Sequence, residues 1–140
     1  MSDKVRKAAA FAAEKHKGQE DRAGKPYIDH PKAVAKMLKG EDEKIVALLH
    51  DTVEDTDASL DEIRSKFGDR IADAVNCLTH RPGVPYMDYV KGIKDNALAR
   101  KVKLADLTHN MDLSRLPEVT DEDLKRIDKY KEAYDFLVKG

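Results

Sequence analysis

Apolar residues recur along this chain at spacings of three and four, and no stretch alternates strictly enough to form a half-buried strand. Val5, Ala8, Ala9, Ala12 and Ala13 make the first stripe, which His16 continues and Gly18 can end. Pro31 suits the first turn of a second helix, with Ala33, Val34, Met37 and Leu38 as its apolar face and Gly40 as its stop. A third helix is expected from near Asp42 through Ile45, Val46, Leu48, Leu49 and Val53. Ser59 and Glu62 form a capping box ahead of a short helix that Gly68 stops. Asp69 caps the next, with Ile71, Ala72, Val75 and Leu78 inward and Pro82-Gly83 as the break. Tyr86, Tyr89, Val90 and Ile93 mark another helix. Asn96 caps a long one through Leu113, stopped before Pro117, and Thr120 opens the last, with Ile127, Tyr130, Tyr134 and Leu137 on one stripe. The pattern predicts an all-α fold of about eight helices, a single domain over residues 1–140 without repeats or linkers.

Composition narrows the setting. With 41% apolar and 38% charged residues among 140, the chain is too apolar for disorder and long enough to bury a core. Its longest apolar run, Ala8 to Ala13, is too short for a membrane span or an export signal. Cys77 is the only cysteine, which excludes an intrachain disulfide and a multi-thiolate metal site and makes a cytoplasmic location the expectation. The formal net charge is -1, but it is unevenly spread: residues 1–40 carry ten Lys/Arg against five Asp/Glu, residues 41–62 one against nine, and residues 63–140 fifteen against thirteen. A near-neutral chain with a dense acidic block is a poor nucleic-acid or membrane partner and a better cation site.

Three segments carry candidate chemistry. In His50-Asp51-Thr52-Val53-Glu54-Asp55, Glu54 follows His50 by four and Asp55 follows Asp51 by four, so a continuing helix would align all four on one ridge. Carboxylates packed this closely repel one another unless a cation sits among them. In Lys103 to Met111, Asp106 and Asn110 share a helix face in apolar company, and a buried Asp needs a partner, either Lys103 or a metal. His30 opens a helix, and upstream of it Lys17, Arg22 and Lys25 form a basic segment that is either solvated or meets phosphates. His16 reads as a hydrogen-bonded buried histidine rather than a ligand. No glycine-rich nucleotide loop and no G-x-S-x-G elbow is present.

These residues sit within longer strings: Gly24-Lys25-Pro26-Tyr27-Ile28-Asp29-His30-Pro31, Ala47-Leu48-Leu49-His50-Asp51-Thr52-Val53-Glu54-Asp55-Thr56, and Val102-Lys103-Leu104-Ala105-Asp106 followed by His109-Asn110-Met111. Together they resemble the hydrolase domain of the RelA/SpoT family, within the HD superfamily of metal-dependent phosphohydrolases. The resemblance implies a compact HD-type helical bundle that removes the 3′-pyrophosphate from ppGpp and pppGpp, small-molecule nucleotides. It assigns His30, His50, Asp51 and Asp106 as ligands of Mn²⁺, Glu54 and Asp55 as the pair that orients or deprotonates the attacking water, and Asn110 as a substrate contact. Lys17, Arg22 and Lys25 are candidate phosphate partners by their charge. The ligand types alone also admit Fe²⁺, Co²⁺ or Zn²⁺. Asp21 stands where the family usually has a second basic residue, and Leu107 and Asp112 where it often has Arg. Two alternatives stay open on the residues: an HD-type nucleotidase or phosphatase acting on another nucleotide, and a metal- or nucleotide-binding module without turnover. The length suits a hydrolase domain alone, and nothing in the sequence addresses oligomeric state.

Overall fold

A computed structural model describes residues 2–21 and 23–139; among them are nine α-helices, one 3-10 turn and no strand. In chain order the helices are α1 (Asp3–Lys15), α2 (Asp29–Lys36), α3 (Glu41–Leu49), α4 (Thr52–Asp55), α5 (Leu60–Phe67), α6 (Asp69–Leu78), α7 (Tyr86–Ile93), α8 (Ala97–Asn110) and α9 (Asp121–Lys139), with the 3-10 turn at Leu113–Arg115. Their starts follow the polar residues that can take free amides. Ser59 Oγ accepts from Glu62 N at 3.1 Å, and Asn96 Oδ1 from Ala99 N at 3.0 Å. Thr120 and Asp123 close a reciprocal box at the head of α9, Thr120 N donating to Asp123 Oδ2 (2.9 Å) and Asp123 N to Thr120 Oγ1 (3.2 Å). Gly68, at φ +94°, turns the chain from α5 into α6 in one residue, a conformation that side-chain-bearing residues rarely adopt.

Helix α3 is the axis of the core. Ile45, Val46, Ala47, Leu48 and Leu49 are all buried, which a helix tolerates only when neighbours cover it on every side. Helices α1, α2, α6 and α8 do so. Ala8 and Ala12, the small buried residues of α1, let its backbone come close to α3. Helix α9 packs on α8 and α7, contributing Ala133 and Leu137 to the buried set. No helix among the described residues is long and apolar enough to cross a membrane.

The expected third helix is divided. It ends at Leu49, a turn follows at His50 and Asp51, and α4 begins afresh at Thr52, which makes nine helices where the periodicity predicts eight. The cause is local competition for acceptors. The His50 ring Nδ1 lies 2.5 Å from Ala47 O, and Thr52 Oγ1 donates to Leu49 O at 2.8 Å. A continuous helix would give those two carbonyls to the amides of Asp51 and Val53. The single ridge expected of His50, Asp51, Glu54 and Asp55 therefore does not form. Helix α8 likewise stops at Asn110, three residues before Leu113, and the chain continues into the 3-10 turn, where Asp112 Oδ1 accepts from Ser114 N at 2.9 Å.

The acidic block also splits. Asp42 pairs with Arg70 (3.1 Å), Glu43 with Lys101 (3.4 Å) and Asp57 with Lys15 (3.0 Å), all on the surface. Asp51, Glu54 and Asp55 instead line a cleft.

Candidate metal centre

The start of α2, the turn after α3 and the second half of α8 converge at the base of that cleft, whose volume is about 530 Å³. His30, His50 and Asp106, far apart in sequence, each bring a ligand atom to within 4.8 Å of the others, and all three residues are buried. Asp106 Oδ1 lies 2.8 Å from His30 Nε2 and 3.3 Å from His50 Nε2. Asp51 stands beside this trio. One of its oxygens is 3.1 Å from His50 Nε2, and the other accepts from the Tyr27 hydroxyl.

Each of these four side chains is held from behind. Lys103 Nζ, almost fully buried, sits 3.1 Å from Asp106 Oδ2, which leaves Oδ1 facing the imidazoles. Asn110 Nδ2 donates to Asp106 Oδ1 at 3.2 Å. His50 meets a carbonyl, which only accepts, so its Nδ1 carries a proton and Nε2 is the nitrogen that faces the carboxylates. His30 Nδ1 lies 2.7 Å from His109 Nδ1. That contact turns the other ring nitrogen, Nε2, onto Asp106.

The cluster is electrostatically short of positive charge. Burial lowers the basicity of His50, yet Asp51 and Asp106 push its pKa up to about 9. Burial works to raise the pKa of Asp106, but Lys103 and His50 hold it well below the usual carboxylate range. Burial, together with Asp51 and Glu54, raises that of Asp55. Two inward imidazole nitrogens and two carboxylates on one buried point suit a divalent ion of the borderline or hard class.

The other expected residues fall in different places. Glu54 lines the cleft, and its Oε1 accepts from His80 N at 2.7 Å. Asp55 lines it too, while its carbonyl accepts from Gln19 Nε2 at 3.1 Å. Gln19 Oε1 in turn is 2.9 Å from Nδ1 of the buried His16, which makes His16 a brace for the α4 turn. Asn110 lines the cleft while it braces Asp106. Lys17 and Lys25 are exposed and are not part of its lining, and Arg22 lies outside the described residues. Asp21 is turned into its own loop, where it accepts from the amides of Ala23 (2.8 Å) and Lys25 (3.0 Å). Leu107 is fully buried in the core.

The profile of the HD domain family matches residues 8–129. The chain belongs to the HD-domain family. Among its relatives, guanosine-3′,5′-bis(diphosphate) 3′-pyrophosphohydrolase MESH1 of Danio rerio is 39% identical over 93% of this chain and 79% of that protein. The MESH1 protein of Homo sapiens is 40% identical over 95% of this chain and 82% of its own length. The guanosine-3′,5′-bis(diphosphate) 3′-pyrophosphohydrolase of Aquifex aeolicus is 38% identical over 79% of this chain but only 17% of its own. A solved structure, described as that of a metazoan ortholog of SpoT that hydrolyzes ppGpp, superimposes with a TM-score of 0.81 at 26% identity, covering 100% of this chain and 88% of that one. The adjacent pair His50-Asp51 of this HD domain lies at the cluster, His50 within it and Asp51 beside it. Tyr27 and His80 escape a motif reading of this HD domain, since nothing around either announces its partner, whereas Lys103 is the partner of Asp106 that the sequence offers beside a metal.

Proposed function

We propose that this HD domain hydrolyses guanosine 3′,5′-bis(diphosphate) at its 3′ position, releasing GDP and pyrophosphate. The observation that carries the reading is the buried meeting of His30, His50 and Asp106 at the base of a cleft that Glu54 and Asp55 also line. His30, His50, Asp51 and Asp106 are the residues to hold a divalent ion, and Mn²⁺ is our choice among those their donors admit. When bound, the ion supplies charge neutralisation at the phosphoryl group and acidifies water.

The protein's own groups supply positioning. Water adds to the phosphorus next to O3′ and the P–O3′ bond breaks. The water's proton passes to a carboxylate of the Glu54–Asp55 pair, and one proton returns to the leaving 3′ oxygen. Asp55 suits a proton acceptor because burial and its acidic neighbours raise its affinity for protons. Glu54 is oriented by the His80 amide. Asn110 keeps one amide hydrogen to offer to substrate after bonding Asp106. Lys17, Arg22 and Lys25 remain phosphate partners in this reading on the charge of their segment.

The test is incubation of the purified chain with ppGpp and Mn²⁺, then with simple nucleoside mono-, di- and triphosphates. Pyrophosphate and GDP appearing from ppGpp alone support the reading, and phosphate released from simple nucleotides points to a nucleotidase. Glu54→Gln is expected to retain the metal and lower kcat by about a hundredfold or more. An unchanged kcat rejects the assigned role of Glu54.

A further inference from the structure

The cleft is much longer than the ion cluster at its base, and its wall is built from α7 and α9. Its charges are lopsided: among the described residues eight carboxylates line it against three Lys or Arg side chains. Two of the three cations are committed. Lys103 is paired with Asp106 at 3.1 Å, and Arg126 with the buried Asp123 at 3.3 Å. Lys129 differs. Among the described residues no carboxylate lies within ion-pair distance of it, and its partners are two aromatic rings, Tyr86 with centroid 4.5 Å from Nζ and Tyr130 at 5.8 Å. An ammonium over ring faces keeps its three N–H donors and most of its field for an incoming anion.

A second observation lies on the same wall. The Tyr86 hydroxyl is buried and has no hydrogen-bond partner among the described residues. A buried phenol normally finds one, so Tyr86 enters this wall with an unmet hydroxyl. Tyr86 also ties this wall to the cluster. Lys103 Nζ, on Asp106, is 5.9 Å from the Tyr86 centroid and Lys129 Nζ is 4.5 Å from it, so the two ammonium groups are no further apart than the sum of those distances.

We infer that Lys129, set on Tyr86 and Tyr130, is the subsite for the 5′-phosphate end of a nucleoside that carries phosphate at both 3′ and 5′ positions. This rests on the substrate reading above, in which the 3′ end occupies the ion cluster. The 5′ phosphates are then the anions left over, and Lys129 is the cation left over among the described residues that line the cleft. In a cleft otherwise crowded with carboxylates, that single pairing selects a substrate charged at both ends over one charged only at the reacting end.

The experiment is calorimetric titration of the full chain, in buffer containing Mn²⁺, with guanosine and with GDP. The native protein is expected to bind GDP more tightly than guanosine. Lys129→Gln should cut that GDP advantage by about fivefold. Lys125→Gln, an exposed lysine on α9 outside the cleft lining, should keep it. The inference is overturned if native protein shows no GDP advantage, if Lys129→Gln keeps all of it, or if Lys125→Gln loses as much. The two readings fail separately. Pyrophosphate release from ppGpp with a GDP preference independent of Lys129 sinks the subsite alone, and a Lys129-dependent preference without release sinks the hydrolytic reading alone.

Discussion

Asp106 divides its carboxylate between two neighbours: Oδ1 serves the imidazoles, and Oδ2 is held by Lys103. A buried ion pair contributes little net stability, but breaking one leaves a charge with nowhere to go. Lys103→Met keeps the stem and removes the ammonium. In chelator-treated protein it is expected to lower the unfolding free energy by about 3 kcal/mol, read from denaturant midpoints. A loss below about 0.5 kcal/mol would show that Asp106 does not depend on Lys103. At this scale the sequence exposed the candidate ligands better than their supports. His50, Asp51 and Asp106 are conspicuous because charged residues amid apolar ones need a reason, and His30 stands out only through the family resemblance. Tyr27 and His80 are ordinary residues whose importance exists only once the chain has brought Asp51 and Glu54 to them.

The helices themselves follow from stripes and caps: α5 and α8 begin directly after Ser59 and Asn96, while Asp69, expected as the cap of α6, is its first helical residue and Gly68 takes the capping position. The break between α3 and α4 was not legible, since periodicity reports which face is apolar and is silent on a side chain that takes a backbone acceptor. Functionally the break matters, because it swings Glu54 against the His80 amide instead of stacking it over His50. Thr52→Val removes the hydroxyl that engages Leu49 O while preserving shape. The expected result is a loss of about 1 kcal/mol in stability and a fall of about tenfold in kcat, with metal content unchanged by elemental analysis. Full kcat in this variant would mean that the break does not set the position of Glu54.

Across the whole molecule, the candidate ligands arise from α2, the α3–α4 turn and α8, so an ion at their meeting point adds a tie among helices that already pack on one another. Binding to the folded form alone stabilises it by about 2.7 kcal/mol at a hundredfold excess over Kd. Thermal unfolding should therefore move down by several degrees on treatment with a chelator and recover with added Mn²⁺. Asp106→Asn should show no such response, and an equal response in that variant would place the ion elsewhere.

Helix α9 supplies no candidate ligand, yet it furnishes Arg126, Ile127, Lys129 and Tyr130 to the cleft. On the proposed reading, α9 adds a 5′-phosphate contact from a stretch of chain that holds none of the bond-breaking residues. Drift in the last twenty residues can retune which nucleotide is accepted while the hydrolytic base stays intact, and a library confined to α9 is the natural place to evolve a new preference.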